Sequence, residues 1–107
     1  MRQVSVKRQA QLADYYALVA SLKIYCGCRS ELSGKKCFVS EIQPHHIRGR
    51  RGKLVYDPFN IILLADDEHL GDDGIQKHNT WERKQELLAI VKPIRISQGF
   101  KEEGKHD

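Results

Sequence analysis

The chain contains no run of about 18 apolar residues, the length that a membrane-spanning helix needs, and its first residues lack the short apolar core of a secretion signal. Both absences lead us to expect a soluble protein in the cytoplasm of its host cell, with no membrane partner. Cysteine is scarce as well, with only Cys26, Cys28 and Cys37. Three thiols cannot complete a four-coordinate zinc site by themselves, and an unexported chain sits in a reducing compartment where disulfides are disfavoured. A structural zinc on Cys26, Cys28 and Cys37 is therefore not expected, although a fourth ligand from a histidine or an aspartate would complete one. Size sets the last limit. The 107 residues, 40% of them hydrophobic, leave room for one small domain over 1–107 with a modest core.

What is present is concentrated. Lysine and arginine number 18 against 14 aspartates and glutamates, a formal charge of +4 that suits a polyanionic partner without demanding one. The clustering of Arg48, Arg50, Arg51 and Lys53 between Ile47 and Leu54 says more than the total. Arginine grips phosphate bidentately, and Gly49 and Gly52 loosen the loop that would carry it there. Four of the five histidines lie close to this cluster, in the stretch from Pro44 to His78.

Adjacent histidines on an extended strand point to opposite sides. His45 and His46 should accordingly have different tasks, one ligating a cation while the other stays free to accept a proton from water. Asn60 closes the loop Tyr56-Asp57-Pro58-Phe59-Asn60 and opens Ile61-Ile62-Leu63-Leu64, a run that reads as a buried strand. Its amide could brace the backbone around the histidine pair. Asp66, Asp67 and Glu68 before His69 look like the first turn of a helix carrying a second ligand, and His78, after a Gly-Asp-Asp-Gly turn, is a candidate third.

In this order, His45-His46-Ile47, a basic loop, Asn60 with four apolar residues behind it, and Glu68-His69 in helical position resemble the HNH endonucleases. The resemblance covers about half of the chain, roughly 25–81. It implies an α+β fold with a ββα-metal finger at 25–81; beside it, the residue pattern gives an N-terminal helix at 6–24, a C-terminal helix at 79–92 and a flexible tail at 99–107. By position it implies His45 and His69 as metal ligands, His46 as general base and Asn60 as the bracing residue. Many members place the last ligand four residues after the position of His69, which here is Asp73. Gly71 and Gly74 interrupt a helix there, so His78 is preferred. The first cysteines depart from the family, with C-x-C where C-x-x-C is usual.

The resemblance also implies DNA as substrate, one divalent ion per site, cleavage to 5′-phosphate and 3′-hydroxyl ends, and low sequence specificity, by nicking or by double-strand cleavage. Imidazole ligands suit Mn²⁺, Ni²⁺, Co²⁺ or Zn²⁺, while Mg²⁺ would need water and substrate oxygens to fill its shell. Small stand-alone members of this look imply a phage setting, beside a packaging terminase or a recombination protein. Arg48, Arg50, Arg51 and Lys53 are the expected DNA contacts. Two other readings stay open: a catalytically silent nucleic-acid-binding module, and an interaction module stabilised by zinc on the three cysteines and a histidine.

The remaining segments read as scaffold. Leu12, Tyr15 or Tyr16, Val19 and Leu22 recur at helical spacing over 6–24, and Ala10, Ala13, Ala17 and Ala20 would allow that helix to pack closely. Glu31 to Gly34 reads as a turn. Cys37 to Ile42 reads as the first strand, with Pro44 ending regular pairing before the histidines. Asn79 should cap the last helix in a capping box with Glu82, that helix should stop at Pro93, and Trp81, Leu88 and Val91 should face the core. Ile94 to Ile96 would then be extended, and His106 lies in the tail with no expected role in a site.

Overall fold

The computed structural model describes residues 6–70 and 80–101. Helix α1 (Val6–Cys26) leads through a turn and a single Arg29–Lys36 bridge to strand β1 (Ile42–His46). Short 3-10 turns at Gly52–Tyr56 and Pro58–Asn60 carry the chain to strand β2 (Ile61–Ala65), and helices α2 (Asp66–Leu70) and α3 (Trp81–Ser97) follow. The strands pair antiparallel, with Ile42 opposite Ala65 and His46 opposite Ile61. The architecture is α+β.

Side chains alternate across a strand, and here both faces of β2 are covered. Ile61 and Leu63 pack with Tyr15 and Leu22 of α1, Ile42 and Val55, while Ile62 and Leu64 pack with Ile47 and with Leu87 and Val91 of α3. The sheet thus lies between α1 and α3, which is why Ile61-Ile62-Leu63-Leu64 is continuously apolar instead of alternating. Burying these four side chains contributes roughly 6–12 kcal/mol before entropy is counted.

A two-stranded sheet leaves the outer edge of β2 with unpaired backbone groups, and an ion pair fills it. Arg95 of α3 is fully buried and donates to the Ile61 carbonyl at 2.8 Å, the Pro58 carbonyl at 2.9 Å and the Glu31 carboxylate at 2.5 and 2.6 Å. Glu31 accepts from the Leu63 N–H and donates its own N–H to the Leu63 carbonyl. The turn expected at Glu31 to Gly34 therefore supplies the carboxylate that anchors α3.

Several expectations are corrected. The first strand is Ile42–His46, not Cys37 to Ile42, and the histidine pair lies inside the pairing. Ile47 N–H donates to the Asn60 carbonyl at 2.7 Å, which sets 43, 45 and 47 at hydrogen-bonding positions. Pro44 falls between them, where its missing N–H would face away from β2, so the ladder tolerates it. Helix α1 runs to Cys26, and Ala10, Ala13, Ala17 and Ala20 are exposed instead of packed. The cap of α3 is Thr80, whose hydroxyl accepts from Arg83 N–H; the expected cap, Asn79, lies outside the described residues. Trp81 stands 70% exposed, out of the core. Helix α3 continues past Pro93 to Ser97. A proline inside a helix costs about 3 kcal/mol, and the bonds made by Arg95 in the last turn of the helix offset it. No helix of the described residues is long and apolar enough to cross a membrane.

Candidate functional site

The period of the strand divides the histidine pair. His45, opposite Ile62, shares the face that turns to α2 and α3; His46, opposite Ile61, shares the face that turns to α1. The structure therefore builds two neighbouring arrangements on one strand end.

On the first face His45 meets His69 of α2, their rings edge to face with centroids 5.1 Å apart. His45 is buried, and its Nε2 makes no hydrogen bond among the described residues. Burial pushes its pKa down to about 4, with smaller contributions from His69, His46 and Lys84, so the ring is neutral at pH 7 and its nitrogen lone pair is available. Gln43, two residues before His45 and on the same face, accepts from His69 Nδ1–H at 2.8 Å through its amide oxygen. That bond leaves Nε2 of His69 as the lone-pair nitrogen, as a hydrogen-bond acceptor behind a metal-ligating imidazole does. Glu68 holds α2 in place: it accepts from the Ala65 N–H at 3.1 Å and from the hydroxyls of Ser30 and Ser33.

These features fit a divalent ion. Two imidazoles bound at about 2.0–2.1 Å to a tetrahedral ion have ring centroids roughly 5 Å apart. An uncompensated buried nitrogen is also costly unless something ligates it. His45 and His69 could supply two ligands, and among the described residues no group of three or more histidine, cysteine, aspartate and glutamate side chains is disposed to hold a metal. His78, the preferred third ligand, and Asp73 lie outside the described residues. Cys26, Cys28 and Cys37 are free thiols, each half-buried.

On the second face His46 is buried under Tyr15 of α1, ring centroids 5.2 Å apart. Its Nε2 lies 2.9 Å from the Val55 carbonyl, which can only accept, so Nε2 carries the proton and Nδ1 the lone pair. Arg50 Nε donates to that Nδ1 at 3.1 Å. Burial lowers the pKa of His46; the bond to Val55 opposes the shift and the charge of Arg50 adds to it.

Asn60, fully buried, ties the loop between the strands together. Its Oδ1 accepts from Arg48 N–H at 2.7 Å, and its amide donates to the Gly49 and Leu54 carbonyls, each at 2.9 Å. Gly49 takes a φ of +97°, which a side chain would strain, so the arginine loop depends on glycine there. All four basic residues are exposed, with Arg48 reaching to 3.7 Å from the Asp57 carboxylate and Arg50 lying on His46.

Sequence reasoning missed Gln43, Val55 and Tyr15. Gln43 was accessible, since a polar residue two before His45 on a strand must share its face. Val55 acts through a carbonyl and Tyr15 through a contact between distant segments, and neither leaves a local pattern. No protein-family model, no curated protein and no solved structure matches this chain.

Proposed function

We propose that the chain is a metal-dependent endonuclease of the HNH type, with a ββα-metal finger formed by β1, β2 and α2, that hydrolyses phosphodiester bonds of DNA. The observation that carries this reading is the His45–His69 pair: a buried nitrogen without a hydrogen bond among the described residues, beside an imidazole whose proton is positioned by Gln43. His45 and His69, with His78 as third ligand, would hold one Mn²⁺, Ni²⁺, Zn²⁺ or Mg²⁺ ion. When bound, that ion supplies charge stabilisation at the phosphate and the leaving oxygen.

The residues of the chain do the rest. Val55 keeps the proton of His46 on Nε2, so Nδ1 is the nitrogen that accepts a proton from the attacking water, and burial keeps the ring neutral near pH 7. Arg50 must leave Nδ1 for this to happen. A phosphate oxygen is a stronger partner for a guanidinium than a neutral imidazole is, so an arriving DNA backbone draws Arg50 away. Arg48, Arg51 and Lys53 add backbone contacts, and Asn60 holds the loop that presents them. Action in the cytoplasm of a phage host, beside a terminase or a recombination protein, belongs to the same proposal.

Supercoiled plasmid incubated with the protein should be nicked in Mn²⁺ or Mg²⁺ and left intact in EDTA. His46→Ala should abolish nicking with divalent-ion affinity nearly unchanged, and retained nicking in that variant would remove His46 as the base. A second reading, a nucleic-acid-binding module without catalysis, draws on the Arg50–His46 bond, which occupies the only lone pair of the imidazole. Salt-sensitive plasmid binding with no cleavage in any of these ions would favour it.

A further inference from the structure

Helix α3 lies outside the finger, yet one of its sides runs along the candidate site. Lys84, Leu88 and Lys92 stand four residues apart and so share that side. The first is near enough to His45 for its charge to act on that imidazole. Eight residues on, about 12 Å along the axis, Lys92 lines a groove of about 330 Å³ with Arg48, Phe59, Gln85, Leu88 and Ala89. The groove is lined by the cationic Arg48 and Lys92, by Gln85 and by the apolar Phe59, Leu88 and Ala89, and its volume falls in the range of sites that take a small ligand. Arg48 is held in this lining twice over, by the Asn60 bond to its backbone and by Asp57 at 3.7 Å from its guanidinium.

We infer that this groove is a DNA subsite, which takes a nucleotide a few positions from the phosphate at His45. Arg48 and Lys92 contact its backbone phosphate, Phe59 and Leu88 pack against the sugar or base, and Gln85 offers a hydrogen bond. The strand then runs from the His45–His69 face across α3, with Lys84 beside the reacting phosphate. This assignment rests on the nuclease reading for where the strand begins, but not for whether the groove binds DNA. It gives the protein a contact beyond the histidine finger, on a helix that the HNH-like motif does not include.

Anisotropy of a fluorescein-labelled 20-base-pair duplex and of the matching single strand, measured in EDTA over a salt series, tests it without requiring cleavage. Lys92→Ala and Arg48→Ala should each weaken binding several-fold and reduce the slope of log affinity against log salt by about 1. Lys36→Ala, exposed on the far bridge to Arg29, should change neither. Amide resonances of Gln85 to Lys92 should shift on titration with the single strand. Lys92→Ala binding with wild-type affinity and slope overturns the groove and leaves the nuclease proposal standing. Wild-type protein without salt-sensitive binding to either oligonucleotide also overturns the groove, and the nuclease proposal falls separately if plasmid is left intact in Mn²⁺ and Mg²⁺.

Discussion

Replacing Arg95 by methionine tests how the fold is held around the site. An arginine has five N–H donors. All five are used here, on the Pro58 and Ile61 carbonyls, the Gln98 side-chain oxygen and both oxygens of Glu31. Methionine fills much the same volume but satisfies none of these acceptors, and it leaves the Glu31 carboxylate buried without a counter-charge. Breaking a buried pair from one side typically costs about 3–5 kcal/mol. A chain of this length is stable by roughly 5–15 kcal/mol, so the variant loses a large share of the total. In urea the midpoint should fall by about 2 M, with the slope of the transition unchanged.

The Glu31→Gln, Arg95→Met double variant separates charge from packing. Glutamine can still accept from the Leu63 N–H and brings no charge, so the double variant should be at least about 1 kcal/mol more stable than Arg95→Met alone. Arg95→Lys should stay well below wild type, because three donors on one ammonium cannot reproduce the fork. A loss under about 1 kcal/mol in Arg95→Met would refute the claim that this pair secures the outer edge of β2.

Three further outcomes are expected. Mn²⁺ or Ni²⁺ should raise the melting temperature of the wild type and not of His45→Ala, read by calorimetry; equal shifts in both would remove His45 as a ligand. With a folded pKa of about 4 against 6.5 unfolded, His45 lets the unfolded state bind more protons between those values. Stability in metal-free buffer should therefore hold above pH 6.5 and decline by up to roughly 3 kcal/mol as pH falls to 4, a decline that His45→Gln flattens. Asn60→Ala deletes three hydrogen bonds, so urea melts should register a loss of roughly 2–4 kcal/mol, and Asn60→Asp should be worse because it keeps the acceptor, loses both donors and buries a charge.

How much of this was legible in the sequence depends on the range of each interaction. Strand β2 announced itself because four successive apolar residues need cover on both faces, and His45 and His46 could be sent to opposite sides by strand geometry alone. That the amide of Asn60 could brace backbone was readable from its place between loop and strand, but its three partners were not. What stayed hidden was long-range. Nothing near Arg95 says that it is buried against Glu31, 64 positions earlier in the chain, so local pattern makes Pro93 a stop whereas the bonds of Arg95 carry the helix past it. Trp81 misled for a related reason: an apolar residue in a helical stripe is core only if the helix turns that stripe inward, and at its first turn α3 does not.

Register is where fold and site become one problem. A slip of one residue between β1 and β2 would send His45 to the α1 face and His46 to the α3 face, which separates His45 from His69 and takes His46 from the Val55 carbonyl. Three devices oppose that slip. Pro44 fits only at a position whose N–H is not required by β2, so a slip of one would break the ladder there. The Ile47 bond to Asn60 fixes the pairing at the loop end, and the side chain of Asn60 fixes the loop beyond it. Glu31 and Arg95 clamp the far edge of β2 at Ile61 and Leu63, alternate residues on that edge, and would lose their acceptors if the strand moved. The buried ion pair and the buried asparagine are thus as much a part of the His45–His69 geometry as the imidazoles themselves.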